Sequence, residues 1–397
     1  MPARIRALFT PAFLRIWWVS FSATGAGFLL FPAAPFRLRA LGAPPEAAGW
    51  FLGFLTYGSA FAAAWTGALG DVLGRRRVLV AAGLVLATFG AAYAFVHDWR
   101  WLVALAVPHG VVWSGLLTSA NSAALHAIPA QRRAEGIGWF AVAGTLAVAT
   151  APAAGLWMLE RSWPALCTAI VVLDLGVAAF ALRLAPDPPP PPDLWRHLAP
   201  HRAVDWRTLR VTVAMLLSSF GYGGLTSFVA LFAEARGIAP KGVFFTAFAA
   251  TLLVSRPFLS PLVDRRGPRR AIPIALCVVA LGLALAALPR TRLEMIGVGV
   301  VYGLGFAVLG PAFTAWIADN VEAARRGAAF GALLAAFDLG IGTGSLALGA
   351  VVEHAGFEAA FFLSAGLALL SWPYLLWAER RAGFVAHRPE IRITTEA

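Results

Sequence analysis

Long, uniformly apolar runs separated by short polar breaks make up most of the chain. They fall near 13–36, 47–69, 77–96, 101–128, 135–158 and 163–184, then near 209–233, 242–263, 271–289, 292–317, 328–352 and 357–378. Each is close to the roughly 20 residues that a helix needs to cross a bilayer. Lipid offers no hydrogen-bond partner to the backbone, so a span must be a helix or part of a closed barrel. A barrel would show segments of about 10 residues alternating apolar and polar positions. These runs do not alternate and are rich in Ala, Leu and Gly. The pattern predicts an all-α integral membrane protein of twelve transmembrane helices.

Composition removes the soluble alternatives. Hydrophobic residues are 59% of the chain and charged residues 13%, about half the usual charged share of a soluble domain. The net charge of +12 would raise nucleic acid as a partner if the arginines formed a stripe. They lie instead in the breaks between runs, which is a topology signal. With the N-terminus inside, most of the 32 basic residues fall on the cytoplasmic side, including Arg4, Arg6, Arg15, Arg75 to Arg77, Arg132, Arg133, Arg265, Arg266, Arg269, Arg270, Arg325 and Arg326. Both termini are therefore expected in the cytoplasm, with the protein in the cytoplasmic (inner) membrane. The N-terminal stretch runs into the first span without an A-x-A-like site, so no cleaved signal peptide is expected. Cys167 and Cys277 sit inside apolar runs and read as packing residues.

Between spans six and seven, 185–208 contains a run of prolines that cannot continue a helix. It reads as a cytoplasmic linker, flanked by six-helix bundles at 1–184 and 209–380 and followed by a cytoplasmic tail at 381–397. The two bundles are related by an internal repeat. An offset of 193 residues carries Asp71, Gly74, Arg76 and Arg77 onto Asp264, Gly267, Arg269 and Arg270. It also carries Arg132 and Arg133 onto Arg325 and Arg326, and Gly110 onto Gly303. Parallel halves of this kind are a transporter plan, with the binding site between them near the midplane.

The most specific segment is Gly67-Ala-Leu-Gly70-Asp71-Val-Leu-Gly74-Arg75-Arg76-Arg77, and it is echoed by Leu262-Val-Asp264-Arg-Arg-Gly267-Pro-Arg269-Arg270. It resembles the major facilitator signature G-x-L-x-D-x-x-G-R-[RK]-[RK], with the spacing unchanged. The resemblance covers nearly the whole chain and implies a fold of two pseudo-symmetric six-helix bundles. It implies a cytoplasmic gate built on Gly67, Gly70, Asp71, Gly74, Arg75 and Arg76, with Asp264, Gly267 and Arg269 as the second-half echo. In the family the matching aspartate latches the halves near the start of the eleventh helix; the bland alternative is a loop that sets topology alone. Ile128-Pro129-Ala-Gln-Arg132-Arg133-Ala-Glu135-Gly136-Ile-Gly138, Ser255-Arg256-Pro257 and Asp338-Leu-Gly340-Ile-Gly342 are most similar to the drug and metabolite:proton antiporter branch. Two departures bear on coupling. The fifth-span antiporter signature reads Ala151-Pro152-Ala-Ala-Gly155, and Ala106 stands where the family often carries a fourth-span arginine.

Ionisable groups at membrane depth are rare and default to function. Arg256 lies about 12 Å from the cytoplasmic end of its span and Asp338 about 15–17 Å from the start of its own. Two readings stand. In one, Asp338 exchanges a proton while Arg256 tunes it or binds an anionic substrate; in the other, the two form a structural ion pair. His109, around 13 Å from the outer end of span four, is a third proton candidate, with Asp71 a fourth. His109 is expected to face its repeat partner Tyr302 across a cavity lined by the first, fourth, seventh and tenth helices. Trp17, Trp113, Asn121, Phe220, Tyr222, Tyr302 and Thr314 are the substrate-cavity candidates. Asp174, mid-span on the sixth helix, should turn inward or carry a proton.

The expected function is secondary active transport of a small organic molecule by alternating access, as proton-coupled efflux, with an uptake symporter, a facilitator or a non-transporting receptor as alternatives. No metal-ligand cluster, nucleophile elbow or P-loop occurs in the sequence, so neither an enzyme nor a cofactor is expected. The partners are the substrate, protons and the lipid bilayer, with no nucleic acid, and the resemblance implies a monomer.

Overall fold

The computed structural model describes residues 9–129, 132–187, 206–321 and 326–382. The linker and the tail expected from the sequence lie almost wholly outside these residues. The first span is built from α1 (Pro11–Leu30) and α2 (Ala34–Ala40), which are followed by a 3₁₀ turn (Pro45–Gly49). α3 (Trp50–Leu73), α4 (Arg75–Phe95), α5 (Trp99–Ala127), α6 (Arg133–Arg161) and α7 (Trp163–Leu182) complete the first half. The second half is α8 (Trp206–Ala235), α9 (Val243–Arg266), α10 (Pro268–Leu285), α11 (Arg292–Asn320) and α12 (Arg326–Ala382). α12 runs for 57 residues but turns at Gly356, where φ is 84° and ψ is 171°. It therefore supplies two helical segments, and the described residues hold twelve in all, counting α1 and α2 as one, where the pattern predicts twelve spans.

Side chains fix several span starts. Thr10 accepts a hydrogen bond from Phe13 N with Pro11 at the first helical position. Asp98 and Ser162 cap α5 and α7 in the same way. Thr291 and Glu294 form a reciprocal capping box at α11. Between the second and third spans of each half the chain turns on a glycine in a left-handed conformation, Gly74 (φ 99°) and Gly267 (φ 77°). The repeated Asp-x-x-Gly of the sequence is thus a repeated helix–turn–helix.

Within the first half, the first span packs on α6 and α7, α3 packs on α5, and α4 packs on α5 and α7. In the second half α8 packs on α12, α9 on α11, and α10 on both α11 and α12. The halves meet through α3 against α12 and α6 against α9. Small residues set the approach distances, as expected where lipid supplies no hydrophobic drive between helices. A Cβ on Gly110 would stand 1.8 Å from the Leu55 carbonyl oxygen, within the first half. One on Gly49 would stand 1.9 Å from the Ser345 carbonyl oxygen, across the halves. Phe61, Phe95, Trp101, Val172, Val254, Phe258 and Leu293 are largely exposed, an apolar surface suited to lipid and foreign to a water-soluble protein.

Gly110→Val forces a side chain into the α3 backbone and is expected to destabilise the protein by about 1–3 kcal/mol. Gly310→Ala, at a position where a Cβ meets nothing within 4 Å, is expected to be neutral or slightly stabilising. Thermal unfolding of both variants in detergent checks the pair.

Candidate functional site

A cavity of about 340 Å³ lies between the halves, within the range of small-molecule sites. Its walls follow helical faces. Leu52, Leu55, Thr56 and Ser59 of α3 line it, as do Ala141, Gly144, Thr145 and Val148 of α6. In both sets the spacing is i, i+3, i+4, i+7, one side of a helix. Phe248, Leu252 and Arg256 of α9 recur every four residues, and Phe337, Asp338 and Ile341 of α12 share a face. Phe28 and Phe31 from α1 and its C-terminal end, Trp113 from α5, Tyr222 from α8 and Phe306 from α11 complete an aromatic enclosure.

Three hydrogen bonds cross between the halves here. Ser59 Oγ donates to Asp338 Oδ2 at 2.7 Å. Arg256 Nη1 donates to Thr145 Oγ1 at 2.7 Å, while the Thr145 hydroxyl donates to the Ala141 carbonyl at 3.0 Å. Tyr57 Oη and Thr343 Oγ1 lie 3.0 Å apart. Arg256 Nε is buried without a partner. Asp338 and Arg256 are not an ion pair, since each bonds a neutral hydroxyl of the opposite half. The structural-pair reading of these two residues is therefore corrected: their similar depths put them in one cavity without bringing them into contact.

The other expected positions divide. Trp113 and Tyr222 line the cavity, the latter ring-stacked on Phe306 at 5.0 Å and Phe337 at 6.0 Å. His109 does not line it and does not face Tyr302. It is buried inside the first half, 3.0 Å from Tyr93 Oη and stacked on Phe89 and Tyr93, because the neighbouring α4 offers a partner closer than the cavity. Tyr302 is fully buried among Phe244, Phe248 and Phe306, with its hydroxyl unpartnered. Phe220 is buried beside Gly344, outside the lining. Trp17 donates from Nε1 to the Trp139 carbonyl at 3.1 Å, tying α1 to α6. Asn121 and Thr314 are exposed, and the Thr314 hydroxyl bonds its own helix at Gly310. Asp174 turns inward, as expected, and is buried on α7 with Oδ1 unpartnered. The cavity also draws its polar groups from the second, fifth, eighth and eleventh spans, which the expected lining of first, fourth, seventh and tenth helices omits. Ser59, Thr145, Thr56 and Thr226 are the residues that the sequence reading misses; the i, i+3, i+4, i+7 stripes of α3 and α6 are the signal that points to the first three.

The signature loop is held by local contacts. A Cβ on Gly70 would lie 2.7 Å from Ser119 Oγ, and Arg75 Nε donates to Ser122 Oγ at 2.7 Å, so both pin α3 and α4 to α5. Asp187 accepts from Arg76 N at 3.2 Å and Arg77 N at 2.9 Å, a carboxylate at the positive end of α4. In the second half, Arg269 Nε lies 3.7 Å from Glu379 Oε1, which also accepts from Trp316 Nε1 at 2.5 Å. Gly67 lies on α3. The side chains of Asp71 and Asp264, and with them the expected latch to the eleventh helix, lie outside the described residues.

At the opposite end of the bundle the halves meet through charge. Glu234 of α8 pairs with Arg39 of α2 and with Lys241, the latter at 2.6 Å. Both cations lie over the Phe36 ring, at 5.5 and 5.0 Å. Glu234→Gln removes both ion pairs while conserving shape. Only the Arg39 pair joins the halves, and an exposed pair of this kind is worth about 0.2–1 kcal/mol, so separation of this end is expected to become about 1.4- to fivefold more frequent. Maleimide labelling of Ser345→Cys, buried beneath the seal in a background without other cysteines, checks this as a rate.

The family model described as Major Facilitator Superfamily matches residues 16–244 and 211–390. The staphylopine export protein of Staphylococcus aureus is 22% identical over 361 residues, 87% of this chain and 90% of its own length. The uncharacterized MFS-type transporter YhhS of Escherichia coli is 31% identical over 231 residues, 56% of each chain. Among solved structures, the nucleoside transporter NupG (D323A mutant) superposes with a TM-score of 0.76 at 16% identity, over 92% of this chain and 99% of its own. A peptide transporter POT in complex with sulfate gives 0.74 at 16% identity, over 94% and 95%.

Proposed function

The chain belongs to the Major Facilitator Superfamily, and from that membership we propose that it exports a small amphipathic organic molecule in exchange for protons, by alternating access of its two halves. Membrane transport follows from the family; direction, coupling and substrate are our reading. The observation that carries it is the Ser59–Asp338 hydrogen bond. A carboxylate in the wall of the midplane cavity reaches across to the opposite half, so its charge bears on whether the halves hold together there. Ionised, Asp338 accepts from Ser59 or from a donor on the substrate. Protonated, it is itself a donor and keeps only a neutral acceptor oxygen, so the substrate's donor loses its charge-assisted bond. Substrate and proton then compete for one group, which is the requirement for exchange. The similarity to an export protein supports the outward direction. The charge bias of the breaks supports cytoplasmic termini in a cytoplasmic-membrane protein, which in this reading works as a monomer.

Ala106, fully buried in α5, favours a second reading, a facilitator without proton coupling, because the arginine associated with coupling in similar proteins is missing. Purified protein in lipid vesicles with a pH-sensitive dye separates the two. Under the exchange reading, substrate addition moves protons, and Asp338→Asn abolishes that movement while substrate still binds. Substrate flux without proton movement in the unaltered protein establishes the facilitator.

A further inference from the structure

The cavity contains one acid and one base that do not neutralise each other. Asp338 is bonded to Ser59 and Arg256 to Thr145, each a neutral hydroxyl from the other half. Neither has an oppositely charged partner among the described residues. A buried charge balanced only by a neutral hydroxyl is unfavourable, and the remedy is a counter-charge in hydrogen-bond contact. The two groups also set opposite demands on a ligand. A simple organic anion would gain Arg256 and be repelled by Asp338; a simple cation would meet the reverse. Arg256 lines the cavity, and a guanidinium suits a carboxylate. The surrounding rings, Phe28, Phe31, Trp113, Phe248, Phe306 and Phe337, suit an apolar or aromatic body.

We propose that the substrate is a zwitterion of amino-acid type, its carboxylate on Arg256, its ammonium on Asp338 and its apolar or aromatic body against the rings. This rests on the exchange reading above and deepens it. The ammonium is the substrate's claim on the group that otherwise takes the proton, so one residue serves both. A zwitterion also leaves the net charge of the cavity unchanged when it binds against ionised Asp338.

Three probes with one body test this by calorimetry on the full chain in lipid nanodiscs: 3-(1-naphthyl)alanine, its N-acetyl derivative and its carboxamide. The zwitterion is expected to bind at least about tenfold more tightly than either blocked form, the scale of one charge-assisted hydrogen bond. In Arg256→Gln the preference over the carboxamide disappears and that over the N-acetyl form remains. In Asp338→Asn the reverse holds. Ratios are read within each variant, so partial loss of folded protein does not alter them, and Arg256→Lys should restore most of the carboxylate preference. A blocked form binding as tightly as the zwitterion, equal loss of all three probes in both variants, or no binding by any probe overturns the assignment. Binding is measured without flux. Charge-selective binding with no proton exchange would leave the substrate class standing and remove the exchange reading. Asp338-dependent proton movement driven by a molecule of single charge would do the opposite.

Discussion

Inside a bilayer a polar group has no water to fall back on, and this constraint organises both the fold and the cavity. It makes every span helical. It also makes each polar side chain at depth seek a partner on a neighbouring helix or on its own preceding turn. Asp338 and Arg256 find theirs in the opposite half. The same bonds that satisfy these groups are therefore contacts between the two bodies that alternating access requires to move. His109 shows the other outcome, a polar group satisfied by Tyr93 inside one half and so with no part in the junction.

The fold was legible from the chain because the bilayer imposes a length on each span and the repeat offset applies to both halves. The turn at Gly356, which separates two spans within one hydrogen-bonded run, fell in the short break between the last two apolar runs. The site was half legible. Asp338 and Arg256 stood out because charge at depth is rare, and Trp113 and Tyr222 because large aromatics mark enclosed space. Their hydroxyl partners did not stand out, for a physical reason. Most serine and threonine hydroxyls in such helices bond a carbonyl three or four residues earlier, as Thr118, Thr150 and Thr314 do. In sequence, Ser59 and Thr145 look the same as these. Only the packing of α3 against α12 and of α6 against α9 distinguishes them.

Two classes of contact thus hold the halves together. In the cavity they are short bonds between single groups in an aromatic enclosure. At the end marked by Glu234 they are ionic, rest on a shared ring, and lie next to the close approach of Gly49 to Ser345. The first class is sensitive to what occupies the cavity, the second to solvent and salt. A transporter needs this division of labour, because occupancy must be sensed at the centre while access is granted at the ends.

Glu234 has two cations but only one of them belongs to the other half. A parting of the halves here would take Arg39 away with its own helix and leave Lys241, which belongs to the same half as Glu234. The carboxylate is handed from two partners to one and is never stripped bare. Opening at this end would therefore cost one exposed ion pair and not the full desolvation of a lone carboxylate, like a hinged door whose bolt always has a keeper to rest in.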